Sequence, residues 1–200
     1  MNPSMDNLIS SDIEAPVMDV VRIRKSSRAF AGRMVSDEVI RSLFEAARWA
    51  PSSRNEQPWK YIYATKDQTD LWERIFSALT EGNKVWVQYA PLLIVSMMRK
   101  SFARDGSHNP TAAYDLGCAN AFLTLQATFM GLNVRQMAGF HPHKLKASLR
   151  IPADYEVVSV MAVGYPAQPD ILPAELQQRE NAPRTRYRQP AFVMNQIFDD

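Results

Sequence analysis

Ala50-Pro51-Ser52-Ser53-Arg54-Asn55-Glu56-Gln57-Pro58-Trp59 is a junction between two kinds of secondary structure. On its N-terminal side Ser36 is a good helix N-cap, with Asp37 and Glu38 in the turn where a helix dipole favours acids. Ile40, Leu43, Phe44 and Ala47 then repeat at helical spacing. Pro51 ends that helix, because it has no amide proton and its ring crowds the preceding turn. On the C-terminal side, Trp59 to Ala64 is rich in aromatic residues and predicts a strand. The turn between them carries two hydroxyls and an amide on rigid supports. Such groups suit the edge of a heteroaromatic ring, although an ordinary Pro- and Ser-rich turn has the same composition.

Working outward, residues 1–15 are polar and aperiodic and read as a loose arm. Val17, Val20, Val21 and Arg24 predict a first helix ending near Ser26. Beyond the junction, Asp67 is expected to cap a helix carrying Leu71, Ile75 and Leu79. Pro91–Met98 is a continuous apolar run, as expected of a buried strand, and a polar loop follows through Asp105, Gly106 and Pro110. Ala112 to Met130 predicts a helix that is apolar nearly all round, buried in the core or at a subunit interface, with Gly131 as its C-cap. Asn133–Met137 predicts a short strand, Pro142 starts another short helix, and Val157–Tyr165 predicts a further strand. Residues 166–190 hold five prolines and many charges, and read as an extended arm with a short helix at Ala174–Gln178. Helices and strands mix without regular alternation, which predicts an α+β layered domain and not a doubly wound one.

Two hundred residues, 46% hydrophobic and 22% charged, describe one globular domain with extensions. The single cysteine, Cys118, excludes an internal disulfide and a Cys-based zinc site, and with no signal peptide apparent a cytoplasmic location is expected. The longest apolar runs are too short to span a bilayer. A net charge of +2 gives no global field toward nucleic acid. The distribution is more telling. Arg22, Arg24, Lys25, Arg28 and Arg33 fall in a stretch with no acid, and Arg179, Arg184, Arg186 and Arg188 cluster near the C-terminus. The two groups could meet around one anion, or both could be solvated surface. Guanidinium groups and a serine hydroxyl are the donors that a phosphate dianion needs, and Arg24-Lys25-Ser26-Ser27-Arg28 supplies them.

In their order these segments resemble the nitroreductase family. Arg24–Phe30 resembles its opening Arg-Arg-Ser-x-Arg-x-Phe, and Ala50–Trp59 its Ala-Pro-Ser-x-x-Asn-x-Gln-Pro-Trp. Gly82-Asn83 with Trp86 and Ala90-Pro91 is similar to the segment that leads into a core strand. Gly131-Leu132 with Ala138-Gly139-Phe140, Gly164-Tyr165-Pro166, and Arg186-x-Arg188-x-Pro190 resemble three later elements. The match covers roughly residues 17–195. Lys25, Asn133 and Ala138 depart from the usual pattern, which bears on substrate preference more than on flavin binding.

The resemblance implies a three-layer α-β-α sandwich with a mixed or antiparallel sheet, in an intertwined homodimer. Residues 1–15 would be an N-terminal arm, 16–200 an FMN-binding domain, and 166–200 an arm exchanged between subunits. Arg24, Ser26 and Arg28 would hold the FMN phosphate and ribityl chain, with Lys25 and Ser27 beside them and Arg186 and Arg188 joining from the C-terminal arm. Pro51, Ser52, Ser53 and Asn55 would line the flavin ring, usually from the other subunit. Asn83 belongs to the same expected site, and Ala138 and Gly139 would bring backbone amides near flavin N5 and O4. The implied activity is ping-pong transfer of hydride from NADH or NADPH through flavin N5 to a nitroaromatic, a quinone or a similar electron-poor acceptor. No side-chain acid or base and no metal is expected, because the flavin carries the chemistry.

Other readings remain open. Relatives of the same fold carry out reductive dehalogenation, flavin fragmentation or azoline oxidation. From another class, a basic-armed module could bind nucleic acid without catalysis. His141-x-His143 lacks a third nearby ligand and reads as a turn before a helix. Cys118 reads as a buried, inert thiol. Trp49, Trp59, Phe76 and Trp86 read as core, with a partly exposed loop position near the pocket as the alternative for Trp86.

Overall fold

The computed structural model describes residues 9–197. Four strands form one sheet in the order β2-β3-β5-β4, with every neighbouring pair antiparallel. They are β2 (Trp59–Thr65), β3 (Leu92–Arg99), β4 (Asn133–Met137) and β5 (Tyr155–Gly164). The central strands are apolar on both faces because helices cover both. On β3, Leu92 and Ile94 point to one face, and Leu93, Val95 and Met97 to the other. Ser96 pairs with Ser159 but Met97 with Val157, so Val158 is an extra residue, a bulge that keeps Val157 on the same face as Val160.

The first face is covered by α2 (Asp37–Arg48), through Ile40, Leu43 and Ala47, and by α5 (Ala112–Phe129), through Ala119, Leu123 and Ala127. The second is covered by α3 (Thr69–Phe76), α4 (Glu81–Val87) and α6 (Pro142–Ser148), through Trp72, Ile75, Trp86 and Leu145. The fold is therefore the three-layer α-β-α sandwich. Ser36 caps α2 as expected, its hydroxyl accepting from Val39 N at 3.4 Å. Gly131, at φ +78°, reverses the chain after α5, in a conformation an L side chain rarely adopts.

Several local expectations are corrected. The first helix, α1, spans only Asp19–Ile23 and buries no residue; the chain is extended from Arg24 onward. Helix α3 begins after Gln68, whose Oε1 accepts from Thr65 N at 3.0 Å and from the Thr65 hydroxyl at 3.2 Å, while Asp67 lies in the turn before it. Trp86 lies on α4 at 1% exposure, stacked on Phe30, so the loop alternative does not hold. Trp49 is not core. It is 69% exposed at the end of α2, where its indole donates to Glu45 and Arg48 lies over its ring. Cys118 is half-buried at the edge of the α2/α5 core.

The two ends of the chain meet. Residues 1–8 of the expected N-terminal arm lie outside the described residues, but β1 (Ile9–Ser10) pairs antiparallel with β6 (Arg186–Tyr187). Between β5 and β6, helix α7 (Ala174–Asn181) is longer than expected and has no buried residue in its body. Among the described residues, no helix is long and apolar enough to cross a membrane.

Candidate functional site

The extended segment after α1 forms one wall of a basic hollow of about 540 Å³. Arg24, Lys25, Ser26, Ser27 and Arg28 line it from the N-terminal side, and Arg186 lines it from the C-terminal arm. Arg135 of β4, Arg179 and Glu180 of α7, and the chain from Asn181 to Arg184 form the rest of the lining. Arg184 donates to the carbonyls of Arg22 and Arg24, which fastens the arm to the motif. Arg24, Lys25 and Arg28 of the first basic cluster thus share one cavity with Arg179, Arg184 and Arg186 of the second, while Arg22, Arg33 and Arg188 do not line it.

Like charges dominate there. Burial depresses the Arg24 guanidinium pKa from its usual value, and the charges of Arg184 and Arg186 depress it further. Arg135 is depressed by burial and then by Arg28, with Glu180 opposing. Among the described residues, Glu180 is the one carboxylate lining the hollow; it accepts from Arg28 N at 3.2 Å through both oxygens and lies 3.5 Å from its guanidinium. So many guanidinium groups around one carboxylate form a donor set suited to a multiply charged anion.

A second hollow of about 430 Å³ adjoins the first and shares Arg28, Arg135 and Arg179 with it. Asn83, Trp86, Ala138 and Gly139 line it. The Gly139 carbonyl accepts from Thr80 N at 3.0 Å, Thr80 Oγ1 at 3.1 Å and Asn83 Nδ2 at 2.9 Å. These bonds lock the start of α4 to the turn after β4. A Cβ on Gly139 would lie 2.5 Å from Asn83 Nδ2 and 2.9 Å from Thr80 Oγ1, closer than real atoms approach. Glycine is therefore required by a close approach within the wall itself.

The remaining expected residues are placed differently. Ser27 lines the first hollow but is buried, and its hydroxyl accepts from Ala29 N at 3.2 Å. Arg188 lines neither hollow; its Nε is 2.8 Å from Glu14, so it ties the two arms together. Pro51, Ser52, Ser53 and Asn55 also line neither. Their turn packs on the start of α5, where Ser53 N donates to the buried Asp115 carboxylate at 3.2 Å. Arg54, Asn55 and Gln57 have φ of 55°, 55° and 51°, three strained residues in one turn. Ser52 Oγ, accepting from Gln57 N at 3.0 Å, helps hold that shape.

Arg135 and Glu180 carry no signal in the sequence as site residues, whereas Arg179 and Arg184 enter through the C-terminal basic cluster. A lone Arg in the five-residue strand β4 carries no spacing signal, and α7 reads as a solvated arm.

Residues 21–88 match the profile described as the nitroreductase family. A solved structure described as an oxidoreductase containing FMN is 31% identical with a TM-score of 0.89, over 94% of this chain and 96% of that one. This chain belongs to the nitroreductase family. A nitroreductase family protein from Clostridium novyi NT is 26% identical with a TM-score of 0.65, over 74% of this chain and 84% of that one. A Streptomyces coelicolor protein, named provisionally as an NADH dehydrogenase/NAD(P)H nitroreductase, is 25% identical over 72% of this chain and 80% of its own length. The two hollows thus sit on a nitroreductase-family oxidoreductase framework, at the meeting of the family's first motif, β4 and the C-terminal arm.

Proposed function

We propose that the chain is an FMN-dependent oxidoreductase using NADH or NADPH to reduce nitroaromatic, quinone or related electron-poor acceptors. The observation that carries this reading is the hollow into which both ends of the chain direct arginines, with a smaller hollow opening from it. Arg24, Ser26, Arg28 and Arg186, with Lys25 beside them, would hold the phosphate and the chain attached to it. Asn83, Ala138 and Gly139 would flank the ring, and the bonds converging on the Gly139 carbonyl fix that wall before any ligand arrives. When bound, FMN supplies the two-electron chemistry that links donor to acceptor. The protein orients the ring, keeps a face open for one reactant at a time, and concentrates positive charge nearby.

The same reading includes a homodimer with exchanged arms. The α2/α5 layer leaves Trp49, at the end of α2, and Tyr114 and Phe129, toward opposite ends of α5, each more than two-thirds exposed, apolar surface suited to burial against a second copy. In such a dimer the strained turn holding Pro51, Ser52, Ser53 and Asn55 would complete the partner's ring site. Light scattering should give twice the chain mass, and Phe129→Glu should yield monomer with weaker flavin retention.

The direct test is reconstitution. Purified protein titrated with FMN should bind about one equivalent per chain in this one-site reading. Anaerobic NADH or NADPH should then bleach the flavin absorbance, and a quinone or nitroaromatic should restore it. Protein that takes up no FMN, or flavin that neither nicotinamide bleaches, overturns the reading.

A further inference from the structure

We propose that Arg135 sets the reduction potential of the bound cofactor: it is a fixed cation, at the seam between the two hollows, that favours the reduced form over the oxidised one. This rests on the FMN reading above but assigns a role to a residue outside the motifs that support it.

Three observations carry the inference. The first is position. Arg135 pairs with Ala162 across β4 and β5, so its side chain leaves the sheet on the face that carries Met137 and Trp86. There it lines both the hollow suited to the phosphate and the hollow suited to the ring. The second is fixation. Its Nη1 donates to the Ser26 carbonyl at 2.5 Å and lies 3.3 Å from Ser26 Oγ, and its guanidinium carbon is 5.4 Å from the Trp86 ring centroid. The indole face and the first motif together hold the guanidinium plane in place. The third is charge balance. Among the described residues no carboxylate lies within ion-pair distance of Arg135, whereas the neighbouring Arg28 has Glu180. Burial and Arg28 both depress its pKa, yet an arginine stays ionised at such a site.

A half-buried, unpaired guanidinium is costly for a fold to retain. Ser26 and Trp86 do not neutralise it; they only aim it. A reduced flavin carries more negative charge on its ring system than an oxidised one, so a fixed cation beside the ring hollow stabilises the reduced form preferentially. Arg24 and Arg186, which line only the first hollow of the two, should hold both redox forms alike, because the phosphate does not change charge.

The experiment measures dissociation constants for oxidised FMN and for dithionite-reduced FMN, the latter anaerobically, in wild type, R135K, R135Q and R135M. Thermal melts establish that each variant folds. Both neutral variants should lose ~10-fold of the preference for reduced FMN, equivalent to a midpoint potential ~30 mV lower for a two-electron couple. R135K should retain most of the preference. An unchanged preference in R135Q and R135M overturns the proposal, even if both redox forms bind more weakly, because that is the mark of a purely structural contact. If neither neutral variant folds while R135K does, the charge serves the fold and the proposal is equally overturned. Wild type that binds no FMN in either state would contradict the functional reading instead, a distinguishable result.

Discussion

Two polar regions of this molecule behave in opposite ways. Inside the α2/α5 layer, the Tyr61 hydroxyl donates to Asn120 Oδ1 at 2.9 Å, and Asn120 Nδ2 donates to Ser96 Oγ at 3.1 Å. The Ser96 and Ser159 hydroxyls bond at 2.9 Å across the two central strands. This network is neutral, with Ser96, Asn120 and Ser159 buried and Tyr61 partly so, and burial pushes the Tyr61 hydroxyl well above the usual phenol range. In the basic hollow, by contrast, burial and then the charges of Arg184 and Arg186 depress the Arg24 guanidinium, and among the described residues Glu180 is the one carboxylate in the lining. The polar groups of this network have found partners within the chain. In the hollow, guanidinium groups outnumber the carboxylate facing them, and on the proposed reading a bound phosphate balances that excess.

That contrast can be broken from either side. The largest effect should come from removing Arg24 and Arg186 together. Each charged hydrogen bond contributes about 1.5–3 kcal/mol, so R24A/R186A should bind FMN ~100-fold more weakly or worse, with little change in melting temperature. Fluorescence titration alongside a thermal melt checks both halves. Asn120→Ala should do the reverse. It strands the Tyr61 hydroxyl and a serine hydroxyl in the core, costing about 1–3 kcal/mol in a urea melt, while the FMN dissociation constant stays where it was. Gly139→Ala should weaken FMN binding ~10-fold, because the added methyl must displace Asn83 and Thr80 from the wall at a strain cost of about 1–3 kcal/mol. The smallest effect sharpens the comparison most. Arg24→Met in the ligand-free protein should leave stability unchanged or raise it by about 0.5 kcal/mol or less, since a repelling charge is lost. A clear destabilisation would mean that the hollow is structural after all.

The sheet and its two covering layers were legible because their signals are local. Ser36 with Ile40, Leu43 and Ala47 defines α2, and the unbroken run before Met98 defines β3. Helix α4 escaped notice because its seven residues give barely two turns, with Gly82 in the first of them. Arg24–Arg28 and Arg186 were legible as clusters, and the structure brings them to one cavity. Arg188 belonged to the same cluster, but its partner Glu14 lies at the far end of the chain, and no spacing rule links them. Arg135 was invisible for the same reason. Its importance arises from where β4 places it, beside Ser26 and Trp86, and only the folded chain reveals that proximity. Trp49 misled because its bulk suggests core, while its position at the end of α2 turns it outward.

The central claim is that the arginine-lined cavity grips a phosphate, and riboflavin isolates that grip because it carries the same ring without the phosphate. Wild-type protein should bind FMN at least ~100-fold more tightly than riboflavin, the preference expected of two or more charge-assisted bonds, and R24A/R186A should erase most of the difference. Equal affinity for the two flavins in the wild type would contradict the account.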